Sequence, residues 1–281
     1  GTSGTRDTDS CVVNPSPGLV PQKADAETVG NLSFNRLRIT GGEGAIRGLF
    51  DEIRLGRSYA DVVPAPLVPS GIPYIPASMA VPVDQVNTNA PGFRVRVVQA
   101  TALGGGLENS IARAEAQLAG TLIDPATGEP YLDEALFGSN AEGSHDEPST
   151  INYNQAEGGT AGNFGLDRGI PGIPGSGGHT DNIAMEAIAY LELPAGTNRF
   201  GVNSDDGFRL TLGVGANPRD RTATTIGVFD AGRGSVDSIF DCYVERAGIY
   251  AARLVWFESL EGANVEWFSV CLLYTSPSPR D

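Results

Sequence analysis

The sequence predicts a mainly β protein, an antiparallel β-sandwich that carries a short helix and a long loop insertion. Three observations lead there. Glycine and proline are abundant, 37 and 19 residues of 281, so turns are frequent and long helices are disfavoured. An apolar share of 40% is enough for a real core. From Asp181 onward, short apolar runs follow one another with turn signals between them, at the spacing of a sandwich or barrel.

In chain order, residues 1–18 are polar and read as a loop or frayed end. Residues 29–39 alternate, with Leu32, Phe34 and Arg36 on one face. Gly41–Gly44 turns, and a second strand follows with Leu49, Phe50, Ile53 and Leu55. These make up a first region, 1–64. Residues 65–91 carry Pro66, Pro69, Pro73, Pro76, Pro82 and Pro91. Proline fixes φ and removes a donor, so this stretch reads as an extended, semi-rigid linker. Its apolar residues Ile72, Tyr74, Ile75, Met79 and Val81 are expected to pack along a neighbour.

The second region, 92–270, opens with the strand Phe93–Val98. Gly104-Gly105-Gly106 is a flexible turn without the spacing of a dinucleotide fingerprint. In ENSIARAEAQLAG, the residues Ile111, Ala114 and Leu118 recur at helical spacing, Asn109 or Ser110 caps the start, and Gly120 ends it. A second short helix is expected over Tyr131–Phe137. Residues 138–180 are glycine-rich and read mostly as loop. His145-Asp146-Glu147 reads there as exposed polar loop, because no second histidine stands at metal-binding spacing. Strands are then expected at Ile183–Leu193, Arg199–Asn203, Gly207–Leu212, Thr225–Phe229, Ser235–Glu245, Ile249–Glu258 and Asn264–Val270. The run from Ile249 is apolar on both faces, as a central strand would be. Trp256, Trp267, Tyr243 and Tyr250 could stack on sugars, but alternating burial makes most of them core instead.

Charge and missing motifs exclude several function classes. The formal net charge is −15 and the sequence shows no Lys/Arg cluster, which argues against nucleic acid and anionic membranes as partners. No apolar run approaches the roughly 20 residues of a membrane span. No G-x-S-x-G, H-E-x-x-H or phosphate loop occurs, so no catalytic residue is assigned. Cys11 and Cys242 lack metal-type spacing and read as unpaired thiols.

The chemistry concentrates in Asn203-Ser204-Asp205-Asp206-Gly207, between two strand-like runs where the chain is expected to reverse as a hairpin. One reading is a plain turn. Asp side chains bond to nearby backbone N–H groups, with Asp205 the better candidate for that bonding and Asp206-Gly207 supplying a positive-φ step. The other is a calcium site. Calcium takes six to eight hard oxygen ligands. Adjacent carboxylates in an extended chain point to opposite faces, so joint chelation needs a distorted backbone between them.

The segments YLELPAG, FGVNSDDGFRLTLG, ERAGIYAARLVWFE and EGANVEWFSV, within 183–270, resemble the fourteen-kilodalton protective-antigen domain family. That family is a β-sandwich attached to glycosidases, toxins, flocculins and adhesins. In its adhesin members the aspartate pair is joined by a cis peptide, and both carboxylates bind calcium beside a glycan hydroxyl. The resemblance implies a calcium role for Asp205 and Asp206, with Asn264 and Glu261 of the last loop as further candidates. It also implies ligand contacts from Asp205, Asp206 and Asn203.

FDEIRLGRSYADVVP, residues 50–64, resembles the closing strand of laminin-G-like, concanavalin-type jelly rolls, which implies an incomplete jelly-roll fragment over about 20–64. CLLYTSPSPRD, residues 271–281, resembles a translated sequencing adapter and is set apart as a non-native tail. Together these resemblances imply a non-catalytic binding or adhesion module of a bacterial surface or secreted protein, extracellular or at the cell surface. Calcium would assist binding of a glycan or polysaccharide. The alternatives are a structural spacer holding neighbouring domains of a larger chain, and an accessory domain of a polysaccharide-degrading enzyme.

Overall fold

The computed structural model describes residues 12–13, 22–23, 70–89, 92–101, 105–136 and 143–270. The chain divides into two units, Gly1–Leu67 and Val68–Asp281. In the first, β1 (Val12–Val13) and β2 (Gln22–Lys23) pair as an antiparallel ribbon. Apart from β2, the expected jelly-roll fragment over 20–64 lies outside the described residues, as do Cys11 and the tail 271–281.

The second unit contains β3 (Tyr74–Ile75), β4 (Phe93–Gln99), α1 (Ile111–Leu118), β5 (Ser144–Glu147), β6 (Ile151–Asn154), β7 (Arg168–Gly169) and β8 (Ile183–Leu193). It continues with β9 (Gly196–Asp205), β10 (Gly207–Leu212), β11 (Thr224–Phe229), β12 (Val236–Val244), β13 (Gly248–Glu258) and β14 (Asn264–Ser269). The first sheet has the order β11-β10-β13-β8-β4-β5, and the second β3-β12-β9-β14-β6-β7. Pairing is antiparallel except where the outermost strands β3 and β7 join the second sheet. This is the mainly β, antiparallel sandwich expected from the alternating runs.

Alternation along the strands builds the core. Phe208, Leu210 and Leu212 of β10, Tyr250, Leu254 and Trp256 of β13, and Ile183 and Met185 of β8 turn inward. There they join Phe200 and Val202 of β9, Val244 of β12 and Val265 of β14 in one buried cluster. Each such side chain contributes about 1.5–3 kcal/mol when fully buried. Trp256, Trp267 and Tyr250 lie in this interior, whereas Tyr243 is buried on the opposite face of β12, stacked on Tyr74. Cys242 is a buried free thiol, and burial pushes its pKa up to about 12.

The outer face of the first sheet is partly covered by α1. Ile111, Ala114 and Leu118 pack on Val98, Ala184, Val255 and Phe257, which is why β13 is apolar on both faces. Ser110 caps the helix, its Oγ accepting from the Arg113 N–H at 3.2 Å, and Gly120 leaves it with φ +67°. Buried Arg113 donates to the backbone oxygens of Glu108, Ile183 and Glu258 and to Gln117 Oε1, fastening helix to sheet. Burial draws its pKa down to about 10.

The proline-rich stretch is also pulled onto the sandwich. Ile75, Met79 and Val81 are buried, and the Val81 N–H reaches Ile249 O at 2.7 Å. Its strand β3 sits at a sheet edge, where missing proline donors cost no ladder bonds.

Two expectations are corrected. Residues 131–136 are not helical. The Glu134 N–H bonds Gln99 O, Asp133 Oδ1 accepts from Gln99 and Ala135, and Ala100 bridges Asp133. Backbone groups that a helix would use internally are spent on the end of β4. Where described, residues 138–180 are mostly loop as expected, but His145-Asp146-Glu147 are not: they belong to strand β5, and the short strands β6 and β7 follow. His145 stands on β5 opposite Val95, on an edge strand whose half-exposed polar face hid its alternation.

Candidate functional site

Asn203–Gly207 is not a hairpin. Strand β9 belongs to the second sheet and β10 to the first, so at Asp206 the chain crosses between sheets instead of reversing. Two other crossings meet it at the same rim. Residues 230–235 lead from β11 in the first sheet to β12 in the second, and residues 259–263 lead from β13 in the first to β14 in the second.

Asp206 ties the three crossings together. It is buried, its Oδ1 accepts from the Arg233 N–H at 2.8 Å, and its Oδ2 accepts from the Ser259 N–H at 3.1 Å. Its own N–H donates to Phe257 O at 3.1 Å. The Arg233 side chain reaches back, donating to Ser204 O, Ser204 Oγ and Asp206 O while lying 4.2 Å from the Phe229 ring centroid. Trp256 Nε1 donates to Asp205 O at 3.0 Å.

The turn roles expected of the two aspartates are therefore exchanged. Asp206, not Asp205, carries the side-chain-to-backbone bonds, because its carboxylate faces the N–H groups of the two neighbouring crossings. No positive-φ step occurs at Asp206-Gly207, and the Asp205–Asp206 peptide is cis. Gly207 is required for space: a Cβ there would meet Phe229 O at 2.6 Å and the Phe257 ring.

The Asp205 carboxylate accepts no hydrogen bond from any described residue. Burial first, then the charges of Asp206 and Glu261, push its pKa up to about 6 against the pull of Arg233. Gly262 lies close, so that a Cβ there would fall 2.7 Å from Asp205 Oδ2. Asn264 stands opposite Asp205 in the β14–β9 register and is buried. Its Nδ2 donates to Asn203 Oδ1 at 2.8 Å, and its Oδ1 takes no described donor. Glu261 is exposed on the loop after β13, with φ +75°.

Asn203 is enclosed. Its Oδ1 also accepts from Ser235 Oγ and its Nδ2 donates to Asp237, so both ends of the amide are held internally. The structure thus groups Asp205, Asp206, Asn264 and Glu261 at one rim and places Asn203 beneath it. Among the described residues, no three His, Cys, Asp or Glu side chains stand together as a metal-holding group.

Sequence reasoning missed Arg233, Ser259 and Glu258. Arg233 had a signal, an arginine set between Gly232 and Gly234. Glu258 had none, because it ends an apolar strand like an ordinary solvent-facing residue. It is fully buried, with neither carboxyl oxygen partnered among the described residues. Burial, then the charges of Asp181, Asp206 and Asp205, push its pKa up to about 9 against the pull of Arg113. Glu258 therefore keeps its proton at neutral pH.

No family model and no curated protein matches the chain. Solved structures similar to it include the PA14 domain of the MpAFP antifreeze protein, at 15% identity over 66% of this chain and 84% of that one, with a TM-score of 0.37. Another is the epithelial adhesin 9 A domain from Candida glabrata in complex with Galβ1-3GlcNAc, at 14% identity over 70% and 87% of the two chains, with a TM-score of 0.40. A subtype-switched form of that domain, in complex with β-lactose, is 14% identical over 70% and 85%, with a TM-score of 0.41.

Proposed function

We propose that the rim around Asp205 is a calcium-assisted glycan-binding site, and that the chain is a non-catalytic adhesion-type module working outside the cell or at its surface. The observation that carries this reading is the Asp205 carboxylate, which stands beside Asp206 and Glu261 and accepts no hydrogen bond from the described residues. A half-buried charge without a partner is unfavourable, and a divalent cation is the partner that would relieve it. The donors at hand are hard oxygens: the carboxylates of Asp205 and Asp206, Asn264 Oδ1, the Glu261 carboxylate and the carbonyls of residues 259–263. That chemistry suits calcium over softer metals.

Coordination positions that these oxygens do not fill would be open to a ligand. Adjacent hydroxyls of a sugar are neutral hard oxygens at a spacing that fits such positions. Asp205 and Asn264 would hold the ion, while Asp206 would add a ligand oxygen and keep the three crossings in register. Gly262 keeps the approach to Asp205 clear of a side chain.

The test is a glycan array probed with labelled protein in calcium and again in excess chelator. The reading expects one class of glycans bound in calcium and released by chelator, with binding lost in Asp205→Asn. Binding that survives chelator, or is unchanged in Asp205→Asn, would overturn it.

A further inference from the structure

A cavity of about 600 Å³ lies on the outer face of the first sheet, past the C-terminal end of α1. Its walls carry Arg96, Arg209, Arg219, Arg221 and Arg253 against Glu115, Glu186 and Asp220. The sequence shows no basic cluster because these arginines are scattered from Arg96 to Arg253. Strand alternation brings them together. Arg96, Glu186, Arg209 and Arg253 occupy outward positions on β4, β8, β10 and β13, between inward residues such as Val97, Met185, Leu210 and Leu254. Arg96 stands opposite Glu186, and Thr211 opposite Arg253.

Part of this charge is internally matched. Arg253 donates to Glu115 through both Nη atoms, at 2.6 and 2.7 Å, and Arg209 also pairs with Glu115. Arg219 Nε reaches Glu186 at 2.9 Å, and Arg253 also pairs with Glu186. Burial works to raise the pKa of both carboxyls, but the arginines overcome it and hold them below their ordinary range. Arg96 Nη1 donates to Leu118 O at 2.7 Å, at the negative end of the helix.

Donors remain in surplus after these duties. Arg209 Nε is buried with no acceptor among the described residues. Arg221 is exposed, and no described residue pairs with its guanidinium. A network serving sheet stability alone would balance its charges, whereas five guanidinium groups here face three carboxylates in a chain of net charge −15.

We propose that this cavity binds a small ligand bearing one or two oxyanion groups, carboxylate, sulfate or phosphate. Guanidinium forks match the geometry of such groups. The volume falls in the range of small-molecule sites, about 300–1,000 Å³. The field of the whole chain repels long polyanions, so the occupant is a compact anion rather than an acidic polymer. The proposal is independent of the calcium reading, since the cavity and the rim share no residue.

The test follows the arginine Nε–Hε signals of isotope-labelled protein during titration with inorganic phosphate, glucuronate, neutral glucose and heparin, each small molecule to about 10 mM. Saturable shifts with phosphate, glucuronate or both, but not with glucose, are expected. Phosphate alone would identify a phosphoryl group, and glucuronate alone a sugar acid. Arg221→Gln, which removes no described contact, should weaken the interaction by about two- to fivefold, the scale of one exposed charge pair. Added salt should weaken it further. Shifts equal to those with glucose, saturation with heparin only, or unchanged affinity in Arg221→Gln would overturn the proposal.

Discussion

Replacing Glu258 with glutamine should stabilise the protein by an amount that grows with pH. Glu258 is fully buried, neither of its oxygens is partnered among the described residues, and its pKa is raised to about 9. In the unfolded chain the same carboxyl ionises near 4.3. Between these values the folded state holds one proton more than the unfolded state, so stability falls as pH rises, by about 1.4 kcal/mol per pH unit. This contribution is fully present below the unfolded pKa and is lost progressively up to the folded one. Glutamine keeps the shape, never ionises and removes the linkage. The gain of Glu258→Gln over the native residue should be near zero at about pH 4 and about 2–3 kcal/mol at pH 7, the lower figure allowing for relaxation around a buried charge. Urea unfolding of both proteins at about pH 5, 6, 7 and 8 measures it. Parallel stability curves across that range would refute the reasoning, since they would mean that Glu258 titrates alike in both states.

The two aspartates of the rim should separate in calcium-free buffer. Asp206→Ala strips the buried Ser259 N–H and the part-buried Arg233 N–H of their acceptor and should cost about 2–4 kcal/mol in chemical unfolding. Asp205→Asn removes no hydrogen bond, and because the folded pKa of Asp205 is raised to about 6, its ionised form lowers stability at neutral pH. Discounted for partial exposure, that substitution should gain about 1 kcal/mol at pH 7 and nothing below about pH 4, readable by thermal unfolding. Gly207→Ala places a methyl group against Phe229 O and the Phe257 ring and should cost at least about 2 kcal/mol.

The strands from β8 to β14 were legible in the sequence because each is an apolar alternation bounded by turn residues, and their ends fell within a few residues of those expected. The helix was legible for the same kind of reason, through the period of Ile111, Ala114 and Leu118 and the capping Ser110. The acidic segment was placed correctly but its geometry was not. Ser-Asp-Asp-Gly looks the same whether the chain reverses within one sheet or crosses to the other, and only the pairing of β9 with β14 and of β10 with β13 decides. The exchange of roles between Asp205 and Asp206 was hidden likewise, because Arg233 and Ser259 come from crossings distant in sequence. Edge strand β5 was missed because an edge strand with an exposed polar face carries the composition of a loop. The arginine cavity was invisible because it gathers one outward residue from each of several strands.

Whether Asp205 and Asp206 bind a cation is decided most directly by calcium titration calorimetry on chelator-treated protein. The predicted result is one saturable site per chain, with a dissociation constant within about 10⁻⁶–10⁻³ M. It should be absent in Asp205→Asn while that variant unfolds at the same temperature as the calcium-free native chain or higher. No saturable heat at about ten millimolar calcium, or the same heat in Asp205→Asn, would contradict the account.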